Sequence, residues 1–285
     1  MAVRRTDKPK GLLNVGVPPE GRFHHARLLP TRADIAFFIE HYWLVAWDLT
    51  GLAPRTQETL PYPSIHIAIE EGRSGVYGIV RGKFTRRIEG NSRVFGIKFK
   101  PGAFYPFVKS SVSSVSALTG KIVPVADLFG PAGDALVREI LPIETENEDQ
   151  LVATAEAFLR ERLPAEDDNV RIIGTIIARI IEDREITKVD QVVDALASGD
   201  LRVSKRQIQR LFSLYVGVSP KWVIMRYRLH EAVERMTNGE AVDLPRLALD
   251  LGYFDQAHFI KDFKAMVGRA PGEYARRLTE QGGPG

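Results

Sequence analysis

Three residues in the last third of the chain carry side chains suited to reading base edges: Arg206, Gln209 and Arg210. A guanidinium can donate two parallel hydrogen bonds to guanine O6 and N7, and a carboxamide can pair with adenine N6 and N7. Spacings of three and four put all three on one face of a helix. The surrounding stretch, Ser204 to Gly217 (SKRQIQRLFSLYVG), has the makings of that helix. Ser204 is a capping type, Ile208, Leu211, Phe212 and Tyr215 recur at helical spacing, and Gly217 suits the left-handed position that ends a helix. Lys205, Arg206, Gln209, Arg210 and Ser213 are left for the outer face.

The design occurs twice. At a constant offset of 51 residues, Ser204 pairs with Asp255, Ile208 with Phe259, Arg210 with Lys261, Phe212 with Phe263, Gly217 with Gly268 and Pro220 with Pro271. The second helix, Asp255 to Gly268, turns Gln256, His258, Lys261 and Lys264 outward. Asp262 in the same helix is unfavourable toward phosphate, so this copy is the weaker reader.

Each copy follows another short helix. Thr187-x-x-Asp190, an imperfect capping box, opens a helix from Val189 to Ala197, and Gly199 to Val203 connects it to Ser204. Asp243 caps a helix with Pro245 in its first turn, where the missing N–H costs little, and Gly252 turns the chain into the second copy. Both units therefore read as helix, short turn, helix. Pro220 to Met236 lies between them as a helix stopped by Asn238-Gly239. Some 17 residues at roughly 1.5 Å each span about 25 Å, comparable with the roughly 34 Å turn of B-DNA. Phosphates fit the helix N-termini and the basic groups beside them, namely Ser204, Lys205, Lys221 and Lys264.

The rest of the chain must present these units. A length of 285 residues gives about two domains, and 44% hydrophobic with 26% charged residues suffices for a core in each. The absence of cysteine excludes disulfides, thiolate metal sites and thiol nucleophiles. No apolar run approaches the roughly 18 residues of a membrane span, and no signal-peptide core follows the basic N-terminus. A cytoplasmic, nucleoid-associated protein is expected. The net charge of +3 lies entirely in residues 187–285, which carry 15 Lys+Arg against 12 Asp+Glu and leave 24 against 24 elsewhere. So small an excess leaves the argument to the placement of the charges.

Residues 1–20 read as a polar arm. Arg32 to Leu49 is compatible with a helix that turns into a strand at HYWLVAW. Ser64–Glu70 alternates strictly, and Val76–Val80, Lys83–Ile88 and Arg93–Lys100 are further strands, which makes residues 21–110 β-rich. Helices follow at Asp149–Leu163 and Asn169–Asp183. The latter has a stripe of Ile172, Ile173, Ile176, Ile177, Ile180 and Ile181, best packed on the N-terminal unit and otherwise a dimer interface. Phe37, Phe38, Tyr42, Trp43 and Trp47 read as core in the first instance and as the lining of an effector pocket in the second. His24, His25, His41 and His66 lack a carboxylate at ligand spacing, so no metal is expected. The Gly72-x-x-Gly75 and Gly78-x-x-x-Gly82 turns precede no helix and predict no nucleotide site.

The motifs of the second unit carry a family resemblance. Leu-Ala-Leu-Asp-Leu-Gly-Tyr at 247–253, Asp255-Gln256-Ala257-His258-Phe259-x-x-x-Phe263 and Gly268-x-x-Pro271-x-x-Tyr274 resemble the signature of the AraC/XylS family of bacterial transcription regulators. The likeness covers about residues 187–278. It implies two helix-turn-helix units joined by a linker helix, with Arg206, Gln209 and Arg210 reading bases from the first and Gln256, Ala257, His258 and Lys261 from the second. Ala257 has no polar reach, and Tyr253 stands where Phe is commoner. Leu60-Pro61-Tyr62-Pro63-Ser64-x-His66 and Gly96-Ile97-Lys98-Phe99-Lys100-Pro101-Gly102 are similar to an uncharacterised regulatory domain that precedes such units. DNA-repair methyltransferases with related units need a cysteine acceptor, which this chain lacks.

The expected fold is multidomain α+β. A β-rich N-terminal regulatory domain with a helical connector spans residues 1–184, and an all-α DNA-binding domain spans 185–280. The expected function is sequence-specific, non-enzymatic transcription regulation without a cofactor, in which two recognition helices enter successive major grooves. Double-stranded DNA is the expected partner, with RNA polymerase, a small-molecule effector and a second copy of the chain as candidates. The alternatives are a ligand-binding or catalytic N-terminal domain with secondary DNA binding, and a non-specific DNA-binding module.

Overall fold

A computed structural model describes residues 13, 22–197, 201–238 and 243–281. The expected arm of residues 1–20 lies outside them apart from Leu13, as do Gly199 and Gly239. The stretch from Arg32 to Leu49 does both things its pattern allows. Strand β1 (Arg22–Leu28) is followed by helix α1 (Ala33–Phe38), which passes directly into the long strand β2 (Ile39–Leu49). Then come β3 (Arg55–Thr59), β4 (His66–Ile69), β5 (Gly75–Tyr77), β6 (Phe84–Ile88) and β7 (Gly90–Phe99). The polar β1 and β3 escaped the sequence reading, because RFHHARL and RTQET lack the alternation that marks a half-buried strand.

Short helix α2 (Tyr105–Val108), a 3₁₀ turn at Val115–Leu118 and strand β8 (Ile122–Val123) complete the β-rich unit. The strands form a six-stranded sheet in the order β1-β2-β7-β4-β5-β8 and a separate antiparallel pair, β3-β6. Period-two alternation decides which side chains share a face. Tyr42 and Leu44 of β2, Ile67 and Ile69 of β4, and Phe95, Ile97 and Phe99 of β7 point to the helical side and join the main core. Trp43, Val45 and Trp47 of β2, with Ala68 and Val94, point the other way into a smaller cluster that Ile88 of β6 completes. At the centre of β7, Gly96 lets the Trp43 indole lie against the sheet, since a Cβ there would fall 1.9 Å from Trp43 Cε2.

The connector is α3 (Val125–Phe129), α4 (Pro131–Ile140), α5 (Glu148–Arg160) and α6 (Asp168–Glu182). The isoleucine stripe of α6 turns inward: Ile173, Ile176, Ile177 and Ile180 are buried in the main core, whereas Ile181 is half exposed. Among the described residues six further helices follow: α7 (Val189–Ala197), α8 (Lys205–Leu211), α9 (Pro220–Thr237), α10 (Leu244–Asp250), α11 (Gln256–Val267) and α12 (Pro271–Gln281). Val192, Leu196, Ile208, Leu211 and Phe212 belong to the same buried cluster as the sheet. Helices α10 to α12, in contrast, build a core of their own with the second half of α9, joined by Leu60 and Leu13.

Candidate nucleic-acid interface and the cavity behind it

The first helix pair, α7 and α8, begins with two caps. Gln191, rather than Asp190, closes the start of α7: its Oε1 accepts hydrogen bonds from Thr187 N at 2.9 Å and Lys188 N at 2.8 Å. The expected Thr187-x-x-Asp190 box is thus displaced by one residue, because a longer carboxamide reaches both orphan amides at once. At α8 a complete capping box forms, with Ser204 Oγ accepting from Gln207 N and Gln207 Oε1 accepting from Ser204 N. With Ile208 and Leu211 buried, Arg206, Gln209 and Arg210 are exposed on the opposite face. Lys205 is engaged sideways by Asp190 at 2.9 Å.

The far end of α8 continues as a π turn, Phe212–Val216, and closes on Gly217 at φ 93°, a left-handed conformation that glycine adopts without strain. Its carbonyls are satisfied by the N-terminal unit. Ser114 Oγ and Ser116 Oγ donate to Ser213 O at 2.8 and 2.5 Å, and Thr119 Oγ1 donates to Gly217 O at 2.8 Å. Tyr215 OH donates to Asp167 Oδ2 at 2.8 Å and accepts from Asn169 Nδ2 at 3.0 Å. The first candidate reader is therefore bolted to the connector and to the turn before β8.

In the second pair, Asp243 caps α10 through Arg246 N at 3.3 Å, and Asp255 caps α11 through His258 N at 2.8 Å. The His258 ring adds a second contact to Asp255 at 2.8 Å. The backbone hydrogen bond from His258, followed by its ring, holds the Asp255 carboxyl below the usual range. Phe259, Phe263, Met266 and Val267 face inward, Ala257, His258, Lys261 and Lys264 are exposed, and Gln256 is half buried. Phe254, one residue before the cap, is 93% exposed.

Helix α9 joins the pairs, capped by Ser219 on Trp222 N. It does not keep its polar residues in water. The Arg226 guanidinium, fully buried, donates to the carbonyls of Val80 at 3.1 Å, Arg81 at 2.6 Å and Gly82 at 3.4 Å, and lies 4.5 Å from the Trp222 ring centroid. Arg228 donates to the carbonyls of Asp183 at 3.0 Å and Ile186 at 3.3 Å, and also to Ile180 O. His230 stacks on Tyr62 at 3.9 Å. Burial, reinforced by the Arg226 charge, pulls its pKa down to about 3 and keeps it neutral. A helix with charges at these positions reads as half solvated, so only tertiary contacts reveal both arginines as fasteners. One tie from the N-terminal unit reaches the second pair directly: Glu58 accepts from Lys83 and, at 2.9 Å, pairs with Arg269 in the turn before α12.

Behind α9 lies a cavity of 670 Å³ between the sheet face bearing Trp43 and Trp47, the β3-β6 pair and α9 itself. Of the aromatics that sequence offered for a pocket, Trp43 and Trp47 line it, whereas Phe37, Phe38 and Tyr42 pack in the main core. His66 accepts from Trp43 Nε1 at 3.1 Å, and its pKa is pulled down to about 3 by burial and then by Lys98. Glu40 pairs with Lys98 at 3.0 Å, His41 at 3.3 Å and Arg27 at 3.5 Å. Burial alone would raise the Glu40 pKa, but the adjacent His41 ring and the Lys98 charge hold it at about 2. His24 lies on the opposite sheet face, against Glu148 at 2.9 Å. Among the described residues no group of three His, Asp or Glu gathers as a metal site would need, and no helix is long and apolar enough to cross a membrane.

Comparison with known proteins agrees with this architecture. Residues 198–277 match the family described as a helix-turn-helix domain, and residues 27–124 match a domain of unknown function, DUF6597. The C-terminal unit is a helix-turn-helix domain of the AraC type, and it follows a β-rich N-terminal region. Two crystal structures of ToxT from Vibrio cholerae are similar at a distance. One is 13% identical over 91% of this chain and 98% of that chain, with a TM-score of 0.38. The other, with an unsaturated fatty acid bound, is 13% identical over 91% and 93%, with a TM-score of 0.37. Neither overlay is close enough to place a residue or a ligand in this chain. No curated protein matches it.

Proposed function

We propose that the chain binds a specific double-stranded DNA site through α8 and α11 in successive major grooves, and that its N-terminal unit modulates that binding. The DNA-binding domain runs from residue 185 to 280 and the regulatory domain from 1 to 184. Arg206, Gln209 and Arg210 read bases from α8, with Gln256, Ala257, His258 and Lys261 in the corresponding role on α11. Ser204, Lys205, Lys221 and Lys264 hold phosphates. The observation that carries the reading is the outer face of α8, where two guanidinium groups and a carboxamide stand exposed opposite a fully buried Ile208.

Modulation has a physical route, since Arg226 and Arg228 fasten the helix between the two readers to the N-terminal unit and the connector. Selection from a random duplex pool tests the function. The expected product is a bipartite site with its halves about one helical turn apart; a pool that enriches no sequence overturns specific recognition. An asymmetric site, with stronger preference in the half bound by α8, is the finer expectation.

A further inference from the structure

We propose that the N-terminal unit is itself part of the DNA interface: residues 109–121, seated against the end of α8, hold phosphates at the edge of the groove that α8 enters. This surface lies outside residues 185–280, and its role rests on α8 being the first reader.

Composition comes first. Residues 109–121 read KSSVSSVSALTGK, with Lys109 and Lys121 at the ends, five serines between them and no acid. The acid-free stretch in fact runs from Gly90 to Ala126. In a chain with 39 basic and 36 acidic residues, so long an interval without a carboxylate leaves a local surplus of positive charge. Lys109, Ser110, Ser113 and Lys121 are exposed, and neither lysine is ion-paired among the described residues. Hydroxyls, ammonium groups and main-chain N–H groups are the donors that grip phosphate oxygens without reading sequence.

Position distinguishes this loop from an ordinary solvated one. Ser114 and Ser116 donate to Ser213 O at 2.8 and 2.5 Å, Thr119 donates to Gly217 O at 2.8 Å, and the Tyr105 ring packs 4.8 Å from that of Tyr215. Ser213 is exposed and follows Arg210 at helical spacing, so it continues the face of Arg206 and Arg210 toward the C-terminal end of the helix. At roughly 1.5 Å per residue, the loop meets the helix about 10 Å beyond Arg206 and about 5 Å beyond Arg210 along the axis. A major groove about 12 Å wide is bordered by phosphates at that range. With Arg206 and Arg210 on base edges, the loop therefore stands over the adjoining sugar-phosphate strand. Of the acids on this side, Asp167 is taken up by Tyr215 and the start of α6, and Asp127 lies past β8 on α3. The hydroxyl contacts to Ser213 and Gly217 fix the loop to α8, so its donors are held in place before DNA arrives.

Binding of the full chain to its selected site and to a random duplex, measured across a salt series, tests the proposal. The double variant Lys109→Ala/Lys121→Ala is expected to weaken both duplexes alike by about tenfold and to lower the slope of log K against log salt by about two. Base preference stays unchanged. Both lysines are exposed, so the variant keeps its fold, which its melting temperature checks. Neutral methylphosphonates placed singly beside the α8 half-site locate the contact: the unaltered chain loses affinity at about two of them, and the double variant loses none there. An unchanged slope while Arg206→Ala still costs affinity overturns the loop contact and leaves α8 as the reader. A reduced slope while Arg206→Ala costs nothing keeps the loop on DNA and sinks α8 as the reader. Altered base preference in the double variant would overturn the phosphate role. Should no sequence be selected, the random duplex carries the same salt test.

Discussion

The two helix-turn-helix units share one design but differ in how they are held. The first is part of the main core: Phe212 and Val216 are buried with the sheet and α6, and hydroxyls of the N-terminal unit cap the carbonyls at the end of α8. The second has a separate core around Phe259, Phe263 and Tyr274, tied to the rest through α9, Leu60 and the Glu58–Arg269 pair. The difference teaches that duplicated units need not be equally mobile. The helix with more side chains of base-matching type is the one fixed to the N-terminal unit, and the other is held through α9 and a few ties to β3 and its surroundings.

The largest effect that would break this comparison is a core truncation. Phe212→Ala and Phe263→Ala each remove a fully buried ring, at a cost of about 3–5 kcal/mol. Phe212→Ala is expected to lower hydrogen-exchange protection across the sheet, connector and first unit together. Phe263→Ala is expected to release residues 244–281 alone, and equal loss of protection everywhere would show that the cores are not separate.

Base reading comes next. Arg206→Ala or Arg210→Ala should cost roughly 1–3 kcal/mol in DNA binding and relax preference at one position. Lys261→Ala, on the weaker reader, is expected to cost less and to relax preference only in the other half of the site. Competition binding against single-base variants of the selected site separates the two patterns; identical behaviour would make the readers equivalent.

Acid should act on α9. His230, packed against Tyr62 and Pro61 O and facing Arg226 and Lys98, has a folded-state pKa of about 3 against an ordinary 6.5. The unfolded chain binds the proton more readily, so stability is full above about pH 6.5 and falls progressively toward pH 3. From pH 7.5 to 5.5 this one group removes roughly 1.4 kcal/mol. Denaturant midpoints should drop over that interval, and His230→Phe should flatten the slope; an unchanged slope would show that the ring is not held neutral. The most local effect is expected from Glu58→Gln, which loosens Arg269 and Lys83. It is visible as faster exchange of α12 amides with those of α8 unaffected.

Much of this organisation was legible in the sequence, because its signals are local. The repeat at an offset of 51, the capping Ser204 and Asp255, the terminal Gly217 and Gly268 and the 3.6-residue spacing specify two helices by contacts within a few residues of one another. The helix-to-strand change in Arg32–Leu49 and the inward stripe of α6 follow from periodicity in the same way. The polar strands β1 and β3 were hidden, since their pairing partners and not their own patterns make them strands.

What residue types alone determined is which helix faces carry donors for base edges, since a helix fixes the directions of its own side chains. Tertiary structure decided what those faces are attached to. Nothing local marks Arg226 and Arg228 for burial; carbonyls of the β5–β6 connection and the end of α6 close around them. The five aromatics offered for a pocket were divided between core and cavity by the sheet's two faces, because strand neighbours more than fifty residues away, such as Gly96 beneath Trp43, set which side a ring can occupy.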